Sequence, residues 1–339
     1  MFQLWDNWTM TAPDRLVFVD VLRGFALFGI LFVNAIDITG VGSGWVRAHE
    51  TALPPDPVRD LLYATTQTRF VPIFNTLFGV SLFFVLSGAR ARSPRPWLVM
   101  LRRLVGLVLI GVVLMLVYPG NVLYEYGVAG LLVLAVVMLA PRWATLGAGL
   151  VLTVGAYALT GGGLLATPGL MLLGAGLAAY GVPKALGAAG PAAAVVFGAS
   201  ALMSVPLVWW QVAAGGGDPR FSTLGGVAGV VMAVAYTTGL ALLWQTPLRR
   251  ALAWFFEPLG RMALTNYVVA AIVFAVGARL LDFSMSTEVW PVVVLGLVVI
   301  VLQSIGSRLW LARFVYGPVE WVWRTATWLR PAAFVRSAS

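Results

Sequence analysis

The sequence predicts an all-α polytopic bundle of about ten transmembrane helices. Three observations lead to this fold class. Of 339 residues, 60% are hydrophobic and 10% are charged, apolar runs of about 20 residues recur along the chain, and turn-forming residues separate these runs. A soluble domain carries about 25% charged residues, because its surface must meet water. The chain is therefore expected to be a single membrane domain, 1–339, with lipid as its solvent.

The expected spans are separated by breaks rich in proline or glycine. They cover roughly 17–38, 61–88, 98–118, 122–140, 143–160, 165–182, 189–212, 224–246, 259–280 and 289–312. Residues 1–14 are expected to form an interfacial segment anchored by Phe2, Trp5 and Trp8, and 15–312 the bundle. The tail, 313–339, is expected to lie at the cytoplasmic interface, because its tryptophans alternate with arginines.

Basic residues predict the orientation of the bundle. Every second connection is basic, and these connections contain Arg90, Arg92, Arg95, Arg142, Lys184, Arg249 and Arg250. The positive-inside rule makes these connections cytoplasmic. Both chain ends are then cytoplasmic, as an even number of spans requires.

Charge and residue counts narrow the classes of function. The net charge of +9 is explained by topology and by contact with anionic lipid. Nucleic-acid binding would need a basic soluble module, and none is recognisable. The chain has no cysteine and one histidine, which excludes disulfides, thiolate metal sites and multi-histidine metal sites. Membrane lipids are thus expected partners, whereas nucleic acid and metal are not.

Polar residues inside apolar spans are costly, so they suggest a functional site. We expect these residues to face a shared polar cavity, and they are Asp20, Arg23, Asn34, Arg69, Asn75, Asn121, Tyr126, Arg261 and Asn266. The alternative is that they hydrogen-bond to one another between helices and fix the packing.

The histidine, His49, lies in the first loop on the side opposite the basic connections. Histidine is well suited to proton transfer near neutral pH, so His49 is a candidate catalytic base. A lone histidine in a loop is more often a surface residue, and that alternative stays open.

Several motifs carry a family resemblance. They are DVLRGFALFGILFVN at 20–34, FNTLFGVSLFF at 74–84, LMLLGAGLAAYG at 170–181, GRMALTNY at 260–267 and YGPVEWVWR at 316–324. The chain resembles the YeiB family of bacterial inner-membrane proteins, which is also known as domain of unknown function number 418. The resemblance implies a relation to transmembrane acyltransferases, with an acyl-CoA donor that enters from the cytoplasm.

The chain departs from the family pattern at two positions. The family's usual histidine corresponds to Leu114 and its usual aspartate to Asn121, whereas Tyr126 matches. Either the chemistry has moved to His49 and Glu125, or this member is not catalytic.

Three hypotheses follow. In an acyltransferase, arginines near the cytoplasmic ends of spans would meet the donor's phosphates; the candidates are Arg90, Arg102, Arg103, Arg249 and Arg250. His49 would act as base, and Asn34, Arg69 or Asn75 would stabilise an oxyanion. A transporter or flippase of a lipid-like solute would use the same polar residues without a base. A non-catalytic accessory subunit would act through a membrane-protein partner or as a homo-oligomer.

Overall fold

The structure is a computed structural model that describes residues 16–215 and 217–336. The expected interfacial segment 1–14 lies outside the described residues. The described chain forms fifteen helices: α1 Val17–Thr39, α2 Ser43–His49, α3 Pro57–Thr65, α4 Phe70–Arg92, α5 Pro96–Leu114, α6 Val122–Leu139, α7 Arg142–Thr160, α8 Gly163–Ala179, α9 Val182–Gly187, α10 Pro191–Ala213, α11 Thr223–Leu243, α12 Arg249–Arg261, α13 Ala263–Leu281, α14 Trp290–Arg313 and α15 Pro318–Trp328.

The all-α fold class is confirmed. Within the described ranges, nine helical segments are long and apolar enough to cross a bilayer, and α8 is a shorter apolar helix. The predicted spans correspond to α1, α4, α5, α6, α7, α8, α10, α11, α13 and α14. The other helices are short connections or lie along the ends of the bundle.

The structure differs from the expectation where two spans begin. The predicted span 61–88 is interrupted between α3 and α4, where Thr68 has a left-handed backbone with φ of 67°. Pro72 explains the break, because its ring would clash with the carbonyl of residue 68 in a continuous helix. The predicted span 259–280 is likewise divided at Met262, where α12 ends and α13 begins.

The connections fall into two groups at opposite ends of the bundle. We call the end with connections 93–95, 180–190 and 244–248 and the tail 314–336 the basic end. Hydrogen bonds link its parts, for example from Gln245 Nε2 to the Gly187 carbonyl. The other group forms the opposite end, where the Gly42 N–H donates to the Phe283 carbonyl. The two groups agree with the alternation of spans that the sequence predicts.

Helix α1 lies in the core, and α10 lies at the periphery. Val21 and Ala26 of α1 have no exposed surface, whereas α10 packs mainly on α11. Helices α4 and α8 approach closely through glycine. A Cβ at Gly79 would lie 1.9 Å from the Met171 carbonyl oxygen, and one at Gly174 would lie 2.0 Å from that of Thr76. Small residues of this kind let membrane helices pack backbone to backbone.

Candidate functional site: an arginine-lined cavity

A cavity of about 320 Å³ lies between α1, α4, α5, α6, α12, α13 and α15. It extends from Glu320 and Trp323 of α15 at the basic end to Phe74, in the second turn of α4 near the opposite end. Three arginines line it, and its deeper part is bounded by aromatic and aliphatic side chains. We call it the arginine cavity. A charged mouth above an apolar interior suits an amphiphile better than a wholly polar solute.

Two of the three arginines have acidic neighbours. The Arg23 guanidinium lies 3.0 Å from an Asp20 carboxylate oxygen, one turn earlier on α1, and donates to the Ser81 hydroxyl at 3.2 Å. Arg261 lies 3.9 Å from Glu257 on α12. Both arginines stay partly exposed, with 27% and 17% of the side chain accessible. Their charges are thus partly balanced while they face the cavity.

The third arginine, Arg103, is held by an aromatic ring. Its guanidinium carbon lies 3.7 Å from the centroid of the Trp323 ring, and the Trp323 indole N–H donates to the Arg103 carbonyl at 2.7 Å. Among the described residues, no carboxylate lies within ion-pair distance of Arg103. An arginine stacked in this way keeps its planar fork of N–H donors available for an anion.

Helix α15 forms the wall of the cavity at the basic end. The Glu320 carboxylate accepts hydrogen bonds from the backbone N–H groups of Leu264 and Thr265 at 2.7 and 3.0 Å, and from the Thr265 hydroxyl. These are free donors of the first turn of α13, so Glu320 caps that helix from another element. Burial raises the pKa of the Glu320 carboxyl, although these hydrogen bonds lower it in part.

Two tyrosines lie in the deep part of the cavity. The Tyr267 hydroxyl accepts from the Val122 N–H at 3.2 Å and lies beside Asn34. Tyr126 packs against Phe74, with ring centroids 5.8 Å apart. Within the described chain, the buried Tyr126 hydroxyl has no hydrogen-bond partner. Such a group costs about 1–3 kcal/mol when it stays unsatisfied, so it is a natural donor to a ligand.

Of the residues predicted to share one cavity, three line it: Arg23, Tyr126 and Arg261. The lining does not include the other six, which are Asp20, Asn34, Arg69, Asn75, Asn121 and Asn266. The Asn75 amide donates to the Thr167 hydroxyl at 3.2 Å, and the Asn266 amide donates to that of Ser307 at 2.9 Å. The alternative, packing through hydrogen bonds between helices, describes these residues better. All the predicted residues are buried or half-buried, as expected for groups kept away from lipid.

Asn121 has a local structural role. Its side-chain oxygen accepts from the Leu123 N–H at 3.2 Å, and its amide donates to the Gly111 and Tyr118 carbonyls. It is therefore the N-cap of α6, a role that asparagine shares with aspartate. Leu114 is buried in the apolar core.

Arg69 is fully buried near the opposite end, with 0% of its surface exposed. Its guanidinium donates to the Gln67 carbonyl, the Thr68 hydroxyl and the Gln211 side-chain oxygen at 2.6, 2.8 and 2.6 Å. Its Nε also lies 3.4 Å from the Met232 sulfur. These contacts join α4 to α10 and α11 and leave little donor capacity for a ligand.

The two predicted catalytic residues do not line the arginine cavity. His49 is exposed at the end of α2, where Nδ1 lies 2.9 Å from the Trp45 carbonyl and the imidazole stacks on the Trp45 ring. This placement agrees with the alternative that His49 is a surface residue. Glu125 is half-buried in the first turn of α6 and does not line the arginine cavity.

Among the five predicted donor-binding arginines, Arg103 lines the cavity. Arg90 donates to the Met138 carbonyl, and Arg249 stacks on Trp244. Neither Arg102 nor Arg250 belongs to the lining. Sequence reasoning missed Ser81, Glu320 and Trp323 as site residues. An acidic residue among the tryptophans of the tail was the available signal for Glu320.

The fold and the cavity define a multi-pass membrane protein with an arginine-lined cavity that reaches the surface at one end of the bundle. A family model described as "Protein of unknown function (DUF418)" matches residues 177–330, in agreement with the resemblance to the YeiB family.

Two relatives are similar over nearly the whole chain. An "Uncharacterized 39.9 kDa protein in amylase 3'region" of Bacillus acidopullulyticus is 28% identical, over 95% of this chain and 96% of its own length. The "Uncharacterized protein YxaH" of Bacillus subtilis (strain 168) is 26% identical, over 93% and 95%. No solved structure is significantly similar to the chain. None of these names states an activity.

Proposed function

We propose that this protein binds a phosphate-bearing acyl compound in the arginine cavity. The observation that carries the proposal is Arg103, which lines the cavity and has no carboxylate partner among the described residues. Arginine prefers phosphate and carboxylate, because its fork of donors matches two of their oxygens. Inside a low-dielectric bundle, an anionic ligand would supply the missing counter-charge.

The rest of the cavity supports a ligand with a chain and a carbonyl group. Below the arginines, the lining is apolar and includes Leu77, Phe78 and Leu107. At this depth the free Tyr126 hydroxyl could donate to an ester or thioester carbonyl. The compound would then lie with its phosphate at Arg103 and its acyl group toward Tyr126.

Acyl transfer is the use that we propose for such a compound, as the YeiB resemblance implies. An acceptor hydroxyl oxygen would bond to the thioester carbonyl carbon, the carbon–sulfur bond would break, and the hydroxyl proton would end on the released thiol. A hydrogen bond from Tyr126 to the carbonyl oxygen would stabilise the negative charge that develops there. An acyl-CoA is the donor class with both a thioester and phosphates.

A non-catalytic role is the second candidate, and three observations favour it. His49 is exposed and does not line the arginine cavity. Asn121 caps a helix, and Leu114 packs in the core. An accessory subunit or a carrier of a lipid-like solute would use the same cavity without a base.

We also propose that the protein lies in the bacterial cytoplasmic membrane with the basic end toward the cytoplasm. The excess of arginine at that end supports this orientation. Because the native chain has no cysteine, Ser93→Cys should resist an impermeant thiol reagent in intact cells, whereas Ser43→Cys should react. The reverse labelling pattern would overturn the orientation.

Binding is tested with octanoyl-CoA and with octanoyl-pantetheine, which has the same thioester but no phosphate. We expect Arg103→Gln to weaken octanoyl-CoA binding at least about tenfold, or 1.4 kcal/mol, and to leave octanoyl-pantetheine binding unchanged. Arg250→Gln is the matched control, because Arg250 is exposed and lies outside the cavity lining. Equal octanoyl-CoA affinities of the two variants would contradict the binding proposal.

Turnover is measured separately as release of free thiol from octanoyl-CoA in membranes that contain native acceptors. The absence of cysteine from the chain removes the protein's own background in a thiol assay. Thiol release that Arg103→Gln abolishes would support acyl transfer. Tight binding without thiol release would favour the non-catalytic role.

A further inference from the structure

We infer that a second, separate site holds one acyl chain of a membrane phospholipid. The site is a groove of about 560 Å³ bounded by α1, α4, α8, α9, α10 and α11. We call it the lateral groove. The residues that line it do not include any of the three cavity arginines, so this inference does not depend on the proposed function.

The lateral groove opens toward the lipid side of the bundle and reaches its core. Val196 of α10 and Val234 of α11 line it and are 44% and 41% exposed. Phe18 and Leu170 line its inner wall and are 4% and 2% exposed. The opening arises because α10 packs mainly on α11 and leaves a gap beside α8. A molecule could therefore enter sideways from the bilayer.

The lining is almost entirely apolar. The groove has three threonines in its wall, and the Thr238 hydroxyl already donates to the Val234 carbonyl of its own helix at 2.7 Å. A buried water needs two to four polar partners, which this surface does not provide. The occupant of the groove must therefore be apolar, and in a bilayer the abundant apolar group is the acyl chain of a lipid.

The volume also argues against a protein helix as occupant. An α-helix with side chains is about 10–12 Å wide, so a membrane-length helix of about 30 Å needs roughly 2,000 Å³ or more. All the empty space of the groove, its open side included, amounts to about 1,550 Å³. A slender flexible chain fits this space, whereas a second copy of the protein would have to insert a whole helix.

Positive charge at one end of the groove complements a phosphate headgroup. Pro183 and Ala185 line the groove at the basic end, and the exposed Lys184 lies between them in the sequence. Arg249 stacks on Trp244, whose ring centroid lies 5.9 Å from that of Phe18 in the groove wall. A phospholipid of the leaflet at the basic end could thus place its phosphate near Lys184 and its chain along α8 and α10.

The test uses the full chain in nanodiscs that contain phosphatidylglycerol with a diazirine near the middle of one acyl chain. After illumination, mass spectrometry maps the adducts. We expect adducts on 170–177, 192–196 and 230–238. Ala193→Trp should reduce their yield at least about fivefold, because Ala193 lines the groove and an indole there would fill it.

Ala194→Trp is the matched control, because the next residue of α10 is exposed and does not line the groove. Its adduct yield should equal that of the parent protein. Equal yields for both variants, or adducts confined to the outward face of α10, would overturn the inference. Thermal unfolding of each variant verifies that α10 stays folded.

Discussion

Arg69 and Arg103 are both arginines of an apolar bundle without a carboxylate partner among the described residues, and they differ in what their donors contact. Arg69 donates to the Gln67 carbonyl, Thr68 and Gln211, so its hydrogen bonds are made within the protein. Arg103 has the Trp323 ring on its face and lines a cavity. Burial alone therefore does not identify a functional arginine. A functional arginine is identified by guanidinium N–H donors that have no acceptor in the protein and that face a cavity.

The largest expected difference between the two regions is in the free energy of unfolding when each arginine is replaced by methionine. Arg69→Met should lower the free energy of unfolding by about 2–3 kcal/mol, because the acceptors on three elements lose a charged donor. Arg103→Met should lower it by less than about 1 kcal/mol, since a cation–π contact is lost. Unfolding in mixed micelles measures both values. Equal losses would remove the distinction between the two arginines.

Replacing tyrosine by phenylalanine should change the free energy of unfolding in opposite directions near Arg69 and in the arginine cavity. The Tyr236 hydroxyl donates to the Thr65 carbonyl at 2.8 Å near Arg69, so Tyr236→Phe should destabilise the protein by about 1 kcal/mol. The Tyr126 hydroxyl has no partner in the described chain. Tyr126→Phe should therefore stabilise the ligand-free protein by about 1 kcal/mol.

These two tyrosine variants are compared in the same unfolding assay as the arginine variants. A loss of stability in Tyr126→Phe equal to that in Tyr236→Phe would indicate that the cavity hydroxyl is already satisfied.

A smaller effect concerns pH and the wall of the cavity. Burial raises the pKa of Glu320 above its ordinary value of 4.5. A raised carboxyl pKa means that the folded state binds this proton more tightly than the unfolded state does. The contribution of the protonated Glu320 carboxyl to the free energy of unfolding is therefore complete below pH 4.5, and it is lost as the pH rises through the raised pKa. Glu320→Gln should remove this part of the pH dependence of the melting temperature. An unchanged pH profile in the variant would contradict the assignment.

The fold could largely be predicted from the sequence, because the apolar run length and the breaks between runs are local properties. Two details were not predictable in this way. The break between α3 and α4 depends on Pro72, which lies inside an apolar run. The docking of α15 depends on Glu320, which caps a helix that begins more than fifty residues earlier.

The site was predicted only in part. Sequence reasoning selected Arg23 and Tyr126 because they are polar residues in apolar spans. It selected Arg103 because it is an arginine near the cytoplasmic end of a span, and all three line the cavity. The same reasoning also selected Arg69 and Asn121. Their hydrogen-bond partners Gln211 and Gly111 are known only once the helices are packed. Polarity in a span identifies costly residues, whereas packing determines which of them are free to bind a ligand.

The central claim is that an anion can reach the arginine cavity and cannot reach Arg69. Two single-cysteine variants of this cysteine-free chain place a thiol beside each region. The Ser81 hydroxyl lies 3.2 Å from the Arg23 guanidinium in the cavity, and the Met232 sulfur lies 3.4 Å from the Arg69 Nε. Both variants, Ser81→Cys and Met232→Cys, are purified in detergent in the folded state and are then treated with a sulfonated methanethiosulfonate reagent.

The decisive measurement is the rate of thiol modification in these two variants. We expect Ser81→Cys to react at least about tenfold faster, because three arginines attract the anionic reagent into an open cavity, and we expect octanoyl-CoA to slow this reaction. Met232→Cys should stay unmodified until the protein unfolds. An unreactive Ser81→Cys, or a Met232→Cys that reacts equally fast in the folded protein, would contradict the account.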